Sequence, residues 1–368
     1  IFIQIGMLPL IIYFQYEAPA FSFLANVAAV PLATCAFTLA FLLIFLPYTI
    51  FHEAISWMIQ GVLWISRQSY GMLTIGHVPF LWVLLFYFMT GLWIWKKNGQ
   101  NRHIRISLAY VIMIILIWIP MARRKSLAFL DVGQGDCFVA DTKSGAIIFD
   151  GGSSSEDQVG RYRILPYMKY LGYQKIQIAV ISHMDIDHYS GIKELLEMGK
   201  IKYLGLPEIP KDETMKKIIG IAKKRGTTIF YLSRGRQITT KDGSLKVLHP
   251  QKNSQMEKNA ASLVMQGKIL GYRVLLTGDV EKEGEEELLS EELERAYILK
   301  AAHHGSKNST SNEFLQKVQP KQTVISCGKQ NRYGHPHLET IHRLQTYHTK
   351  IYRTDRSGAI IFFKRRDG

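Results

Sequence analysis

Two kinds of patterning divide the chain near residue 125. Before it, apolar residues run almost unbroken through 1–13, 21–50, 79–95 and 106–121. After it, short β-rich runs alternate with stretches of helical period. A helix that crosses a bilayer needs about 20 apolar residues, with a working range near 17–25. The run 21–50 exceeds that length, and Pro31 and Pro47 within it predict a kink or a break. The other runs are marginal and read as short spans or re-entrant elements of a larger bundle. Trp82, Trp93, Trp95 and Trp118 stand at the ends of runs, as interfacial anchors do. Residues 51–68 differ: His52, Glu53, Ser56, Gln60 and Arg67 mix with Ile55, Ile59, Leu63 and Trp64 at helical spacing. That predicts an amphipathic helix lying on a membrane surface or packed as a lid.

From Ser126 onward the pattern predicts strands at 127–132, 137–141, 146–149, 176–181, 244–248, 262–267, 272–276, 297–300, 323–326, 351–353 and 359–363. Helical period predicts helices at 188–198, 213–225, 282–289, 313–318 and 337–347. Strand–helix alternation with several hairpins makes a mixed, layered α/β domain. The expected organisation is therefore a membrane-embedded part, 1–125, followed by a soluble domain, 126–368.

Charge follows the same division. Between Ile1 and Trp95 the charged residues are Glu17, Glu53 and Arg67 alone, yet the whole chain has a formal net charge of +15. Such an excess attracts polyanions, either nucleic acid or anionic lipid. Part of it is topogenic. Lys96, Lys97, Arg102 and Arg105 precede the last apolar run, and Arg123, Arg124 and Lys125 follow it. The first cluster is the richer, so positive-inside bias leans toward placing the soluble domain outside the cell. Cys35, Cys137 and Cys327 form no CxxC pair, which argues against a zinc ribbon or dithiol motif and leaves a Cys137–Cys327 disulfide open. No basic segment and cleavage site precede the soluble part, so the start does not read as a signal peptide; the chain reads as the C-terminal part of a longer membrane protein.

The candidate chemistry centres on Ser182-His183-Met184-Asp185-Ile186-Asp187-His188. The apolar run 178–181 reads as a buried strand that ends there, and a strand end opening into a turn presents side chains to a cleft. His183, Asp185, Asp187 and His188 are four metal-competent residues within six positions. Imidazole with carboxylate suits Zn²⁺, Mn²⁺ or iron. A solvated charge cluster is the competing reading, and the apolar strand directly before the cluster argues against it.

That heptad resembles the His-x-His-x-Asp-His signature of the metallo-β-lactamase fold. AIIFDGG at 146–152, LLTGDV at 275–280 and LKAAHHGS at 299–306 resemble the fold's other landmarks and follow in its order. LDVGQGD at 130–136 and NRYGHP at 331–336, taken with these, are similar to the C-terminal hydrolase domain of the ComEC family of competence DNA-uptake channels. The apolar half resembles the end of that family's membrane competence domain. The resemblance covers essentially the whole chain and implies an αββα sandwich following an all-α transmembrane segment. By carry-over, His183 and Asp185 would hold one divalent metal; Asp187, His188 and His303 would hold a second, with Asp279 bridging. Two such ions lower a water's pKa toward about 7 and neutralise charge on a phosphoryl group. Asp187, His304 and His335 are the expected catalytic residues, the two histidines as donors to phosphate or leaving oxygen. Gln134, Asp136, Asn259, Ser262, Lys307 and Arg332 are the expected substrate-binding residues, with Lys300 a further phosphate contact.

Two positions depart from the family pattern. Asp185 stands where relatives place the second His, and Asn259 near where they place a third; His249 is a fallback ligand that more readily caps its strand. Fewer imidazoles and more oxygens harden the site and favour Mn²⁺ over Zn²⁺. The expected function is a metal-dependent nuclease at a membrane DNA channel, degrading the strand that is not transported. Its partners would be DNA, membrane lipid, the remainder of the channel and other competence proteins. A membrane-tethered phosphodiesterase acting on a choline or lipid phosphodiester is the alternative, as is a catalytically inactive DNA-gating module.

Overall fold

The structure is a computed structural model that describes residues 2–19, 22–45, 49–67, 71–95, 104, 107–108, 111, 124–256, 259–290 and 293–365. It separates into two compact units, Ile1–Met121 and Ala122–Gly368.

The first unit is helical. Helices α1 (Phe2–Gln15), α2 (Ser22–Leu42), α3 (Thr49–Arg67) and α4 (Phe80–Trp95) carry the apolar runs. A small antiparallel pair, β1 (Glu17–Pro19) with β2 (Met72–Thr74), joins the segments around them. The long run is interrupted between α2 and α3, while Pro31 is accommodated inside α2. The amphipathic stretch forms α3, which packs along α2. Among the described residues one helix is long and apolar enough to cross a bilayer, over Ala25–Leu42; α1 and α4 are shorter. The expected run 106–121 and the basic residues Lys96, Lys97, Arg102, Arg105 and Arg123 lie almost wholly outside the described residues.

The second unit is a four-layered sandwich. One sheet runs β16-β3-β4-β5-β6-β7-β8 and the other β15-β14-β13-β12-β11-β10-β9. The first contains β3 (Ser126–Phe129), β4 (Phe138–Thr142), β5 (Gly145–Phe149), β6 (Ile176–Val180), β7 (Ile201–Pro207), β8 (Thr228–Leu232) and β16 (Ile360–Phe363). The second contains β9 (Gln237–Thr240), β10 (Gly243–His249), β11 (Val264–Ile269), β12 (Tyr272–Leu276), β13 (Ile298–Lys300), β14 (Gln322–Ile325) and β15 (Lys350–Arg353). Side-chain alternation builds the layers. Phe129, Phe138, Ile147 and Phe149 face Val247, Met265, Val274 and Leu276 between the sheets. Their neighbours Ala128, Val139 and Ile148 face outward to α5 (Leu165–Tyr170), α6 (Ile186–Glu197) and α7 (Glu213–Lys224). On the far side Leu275, Leu299 and Ile325 meet α8 (Lys282–Leu289), α9 (Asn312–Val318) and α10 (Leu338–Thr346); a short α11 (Thr354–Ser357) leads into β16.

Every expected strand coincides with one of these strands, although the run 127–132 stops pairing at Phe129, because the glycine-containing segment 130–136 turns away as a loop. The patterning did not disclose β7, β8 or β9, nor the helix from Gly160 to Tyr170 that opens with a π-helical turn. Cys137 and Cys327 are both free thiols, which settles the open disulfide in the negative. Burial pushes the Cys327 thiol up to about 12, with Asp355 adding to the rise.

Candidate metal centre

Five parallel-paired strands end at one rim of the sandwich, and each delivers a polar residue there. Strand β5 leads to Asp150, β6 to the turn Ser182–Asp185, β12 to Asp279, β13 to His303 and His304, and β14 to Ser326. Carboxyl ends of parallel strands open onto a crevice without blocking each other's side chains, the usual place for a site in layered α/β folds.

The first sheet's share of the centre is built around Asp150, which is fully buried and has a φ of 58°. One carboxylate oxygen accepts from the Ser182 backbone N–H at 2.7 Å, and the other lies 3.0 Å from Nδ1 of His188. Asp150 therefore fixes the metal-competent turn and turns Nε2 of His188 inward, an arrangement typical of carboxylates behind metal-binding imidazoles. Asp185 caps α6 in an extended conformation without a side-chain capping bond, and its Oδ2 lies 3.7 Å from Nε2 of His183. Asp187 sits in the first turn of α6.

Loop 130–136 closes against this turn. The Asp136 N–H donates to the Asp187 carbonyl at 3.0 Å, and Gly152 N–H donates to the Asp136 carbonyl at 3.1 Å. The approach is so close that a Cβ on Gly152 would lie 2.5 Å from the Ile186 carbonyl oxygen. Gln134 is buried, and its side-chain oxygen accepts from Gly328 N–H at 3.0 Å, so the structure uses it as a clamp between loops.

The second sheet contributes Asp279, whose Oδ2 lies 3.2 Å from Nε2 of His188 and 3.3 Å from Nε2 of His304. Ser262 is buried and its hydroxyl accepts from the Asp279 N–H at 3.3 Å; Asn259 accepts from the Ser262 N–H through its backbone. His303 and His304 are both in the left-handed region, at φ 47° and 53°, followed by Gly305 at 83°. Such strain in two non-glycine residues persists only where surroundings hold it. It sends the two rings in different directions. His304 is buried, with Nδ1 2.9 Å from the Ser326 carbonyl and Nε2 3.3 Å from Asp187. His303 is more exposed, with Nδ1 2.8 Å from Glu281 and Nε2 3.8 Å from Asp279.

Asp187, His188, Asp279 and His304 thus each offer a ligand atom within 4.8 Å of the others. Nε2 atoms of His183, His188 and His304 are buried and make no hydrogen bond among the described residues. Orphaned buried nitrogens facing carboxylates fit a bound divalent cation. The carboxylates dominate the field around these rings. Burial would lower the pKa of His188 and His304, but Asp279, with Asp150 or Asp136, outweighs it and raises both well above the ordinary imidazole value. Burial would likewise raise Asp279, but His188, His304 and Lys300 hold it well below the carboxylate range.

Lys300 is the residue whose place the sequence concealed. It is buried, with its ammonium paired to Asp136, 3.4 Å from Asp279 and donating to the Gly278 carbonyl at 2.9 Å. Against burial, Lys300 and His304 hold Asp136 at about 2. Glu281 beside His303 was also unforeseen; a lone Glu two residues after Asp279 has no pattern to distinguish it.

His335 belongs to the rim. Its ring centroid lies 5.4 Å from that of His303 and 6.1 Å from that of His304. The Asn331 side chain holds its backbone, accepting at 2.9 Å and donating at 2.6 Å. Burial and the neighbouring imidazoles press its pKa down to about 4. Lys307 and Arg332 are exposed; the Arg332 guanidinium lies over Tyr333, 4.8 Å from the ring centroid. His249 is buried, with Nε2 2.7 Å from the Ala260 carbonyl and Nδ1 3.0 Å from Glu287, so both nitrogens are already engaged away from the cluster.

Comparison with known proteins follows the two units. The metallo-beta-lactamase superfamily matches residues 130–329, and a competence-protein family matches residues 1–100. ComE operon protein 3 of Bacillus subtilis (strain 168) is 31% identical over 400 residues, covering 99% of this chain and 51% of that protein. Competence protein ComA of Neisseria gonorrhoeae is 31% identical over 248 residues, covering 65% of this chain and 32% of that protein. The chain therefore spans about half or less of these relatives. Among solved structures, the metallo-beta-lactamase fold protein YhfI from Bacillus subtilis superposes with a TM-score of 0.44 at 13% identity, over 64% of this chain and 99% of that one. The family match over 130–329 shows that the chain belongs to the metallo-beta-lactamase superfamily, here joined to a part, residues 1–100, that matches a competence-protein family.

Proposed function

We propose that the second unit is a metal-dependent nuclease that hydrolyses DNA phosphodiesters, attached to a membrane channel that takes up one DNA strand while the other is degraded. The observation that carries this reading is the convergence of half-buried Asp187 with buried His188, Asp279 and His304 in a chain that also matches the competence family. These four would hold one divalent ion. His183 and Asp185, with Asp279 shared, would hold a second. In this reading His304 takes the ligand role expected of His303, which stands at the rim with Glu281. Ions held there supply Lewis acidity and a nucleophile at neutral pH. The oxygen-rich ligand set favours Mn²⁺ over Zn²⁺.

The chain's own residues do the rest. Asp150 orients His188, and Ser262 sets the backbone of Asp279. His335 is neutral at pH 7 and offers a ring N–H to a phosphate oxygen at the rim. Exposed Lys307 and Arg332 attract the polyanion. A second reading, an inactive DNA-gating module, draws on one observation: Lys300 already neutralises Asp136 and Asp279.

The test is hydrolysis of single-stranded DNA by the full chain in nanodiscs, with Mn²⁺, with Zn²⁺ and with chelator. Mn²⁺-dependent cleavage that Asp279→Ala abolishes, with unchanged circular dichroism, is expected. DNA binding without cleavage in any metal supports the gating module. Cleavage of a small phosphodiester but not of DNA supports the alternative substrate.

A further inference from the structure

We infer that the open edge of the first sheet, where β16 pairs with β3, is a docking surface for an anionic lipid bilayer. Strand β16 hydrogen-bonds to β3 on one side and has no strand on its other side among the described residues. An unpaired edge bearing apolar side chains is a liability unless something covers it. Within β16 the residues alternate. Ile360 and Phe362 turn inward, Phe362 against Tyr272 and Tyr352. Ile361 and Phe363 point outward and are 41% and 50% exposed.

A basic and aromatic cluster adjoins the Phe363 end of the strand. The Arg124 guanidinium lies 5.5 Å from the Phe363 ring centroid and donates to the Lys364 carbonyl at 3.2 Å. Arg365 is exposed and lies over Tyr297 and Tyr272, 4.9 and 5.7 Å from the ring centroids. The Tyr272 hydroxyl donates to the Phe363 carbonyl at 3.0 Å. Lys364 pairs with Asp242, so among the described residues the charge left at this corner, that of Arg124 and Arg365, is positive. Exposed apolar side chains with Arg and Tyr at one end of the strand match the headgroup region of a bilayer with negative surface charge. A second copy pairing edge to edge would bring the same Arg residues together, which disfavours it.

The tether argues the same way, and here the inference rests on the proposed membrane reading of 106–121. That run ends at Met121 and β3 begins at Ser126. Five residue steps reach at most about 18 Å at roughly 3.6 Å each. If the run enters the bilayer, this corner cannot leave its vicinity.

The full chain in nanodiscs tests this, with Cys35→Ser and a single spin label at Phe363→Cys, Ile361→Cys, Leu108→Cys or Lys224→Cys. Collision with oxygen and with a nickel chelate distinguishes lipid from water. In phosphatidylglycerol-containing discs the labels at 361, 363 and 108 should favour oxygen, and the label at 224 the chelate. Arg124→Glu with Arg365→Glu, or pure phosphatidylcholine, should remove the lipid signature at 361 and 363 and leave 108 unchanged. An aqueous signature at 361 and 363 with lipid at 108 overturns the docking and spares the membrane reading. Water at 108 overturns both. Shielding from both relaxants at 363 means that protein covers the edge, which also overturns the inference.

Discussion

Asp150 shows how much of the centre depends on a residue outside the ligand cluster. Its two oxygens hold the Ser182 N–H and face Nδ1 of His188, so removing its charge releases the ring that must point inward. Asp150→Asn should weaken divalent-metal binding by roughly 10–100-fold with the fold intact, since residues behind metal ligands carry effects of that size; calorimetric titration with Mn²⁺ measures it. Asp185 is the residue predicted to set metal preference. The wild type should cleave faster with Mn²⁺ than with Zn²⁺, and Asp185→His should move the preference toward Zn²⁺, read as the ratio of rates in the two metals. A wild type active with Zn²⁺ and silent with Mn²⁺ contradicts this. The histidine–aspartate heptad stood out because its four ligand-competent residues fall within six positions. Lys300 and Gln134 were read as substrate contacts, and their pairing with Asp136 and Gly328 was hidden because only the sandwich brings those partners to them.

At the scale of elements, the centre requires loop 130–136 and the start of α6 to touch backbone to backbone. Gly152 makes that contact possible: a Cβ there would lie 2.6 Å from His188 N as well as against the Ile186 carbonyl. Neither neighbour is a flexible side-chain end, so the backbone itself would have to move. Gly152→Ala should cost about 1–3 kcal/mol of stability, the usual range for overpacking, and should lower metal affinity along with it. Denaturant midpoints and the same titration give the two numbers; full stability with full affinity would show that the loop yields freely. Strands with apolar alternation were readable from sequence. Strand β7 was hidden by Lys202, Gly205 and Pro207 within it, and β9, Gln237–Thr240, by its polar composition. Their pairing is supplied by neighbouring strands, which a local pattern does not reveal.

For the whole molecule, the decisive open property is the side of the membrane on which the second unit lies. Sequence places two basic clusters around the run 106–121, and their near balance makes the positive-inside rule a weak guide. The structure changes the balance. Lys125 pairs with Asp141 at 2.7 Å beside the Tyr173 hydroxyl, so part of the second cluster is the hydrolase domain's own ion pair and not a free topogenic charge. The positive-inside bias of the richer cluster, Lys96 to Arg105, then predicts that this cluster is cytoplasmic and the second unit outside. The proposed function favours the same side: a nuclease outside the cell could dismantle one strand before the other enters a pore, and it could not reach the chromosome. The exposed Ser290 provides the measurement. In a background without other cysteines, Ser290→Cys should react with a membrane-impermeant maleimide in intact cells as fully as after lysis. Reaction only after lysis would put the domain in the cytoplasm. Arg124 and Arg365 would then face the inner leaflet, where the lipid docking of β16 could still hold, while degradation of the rejected strand would need a different enzyme.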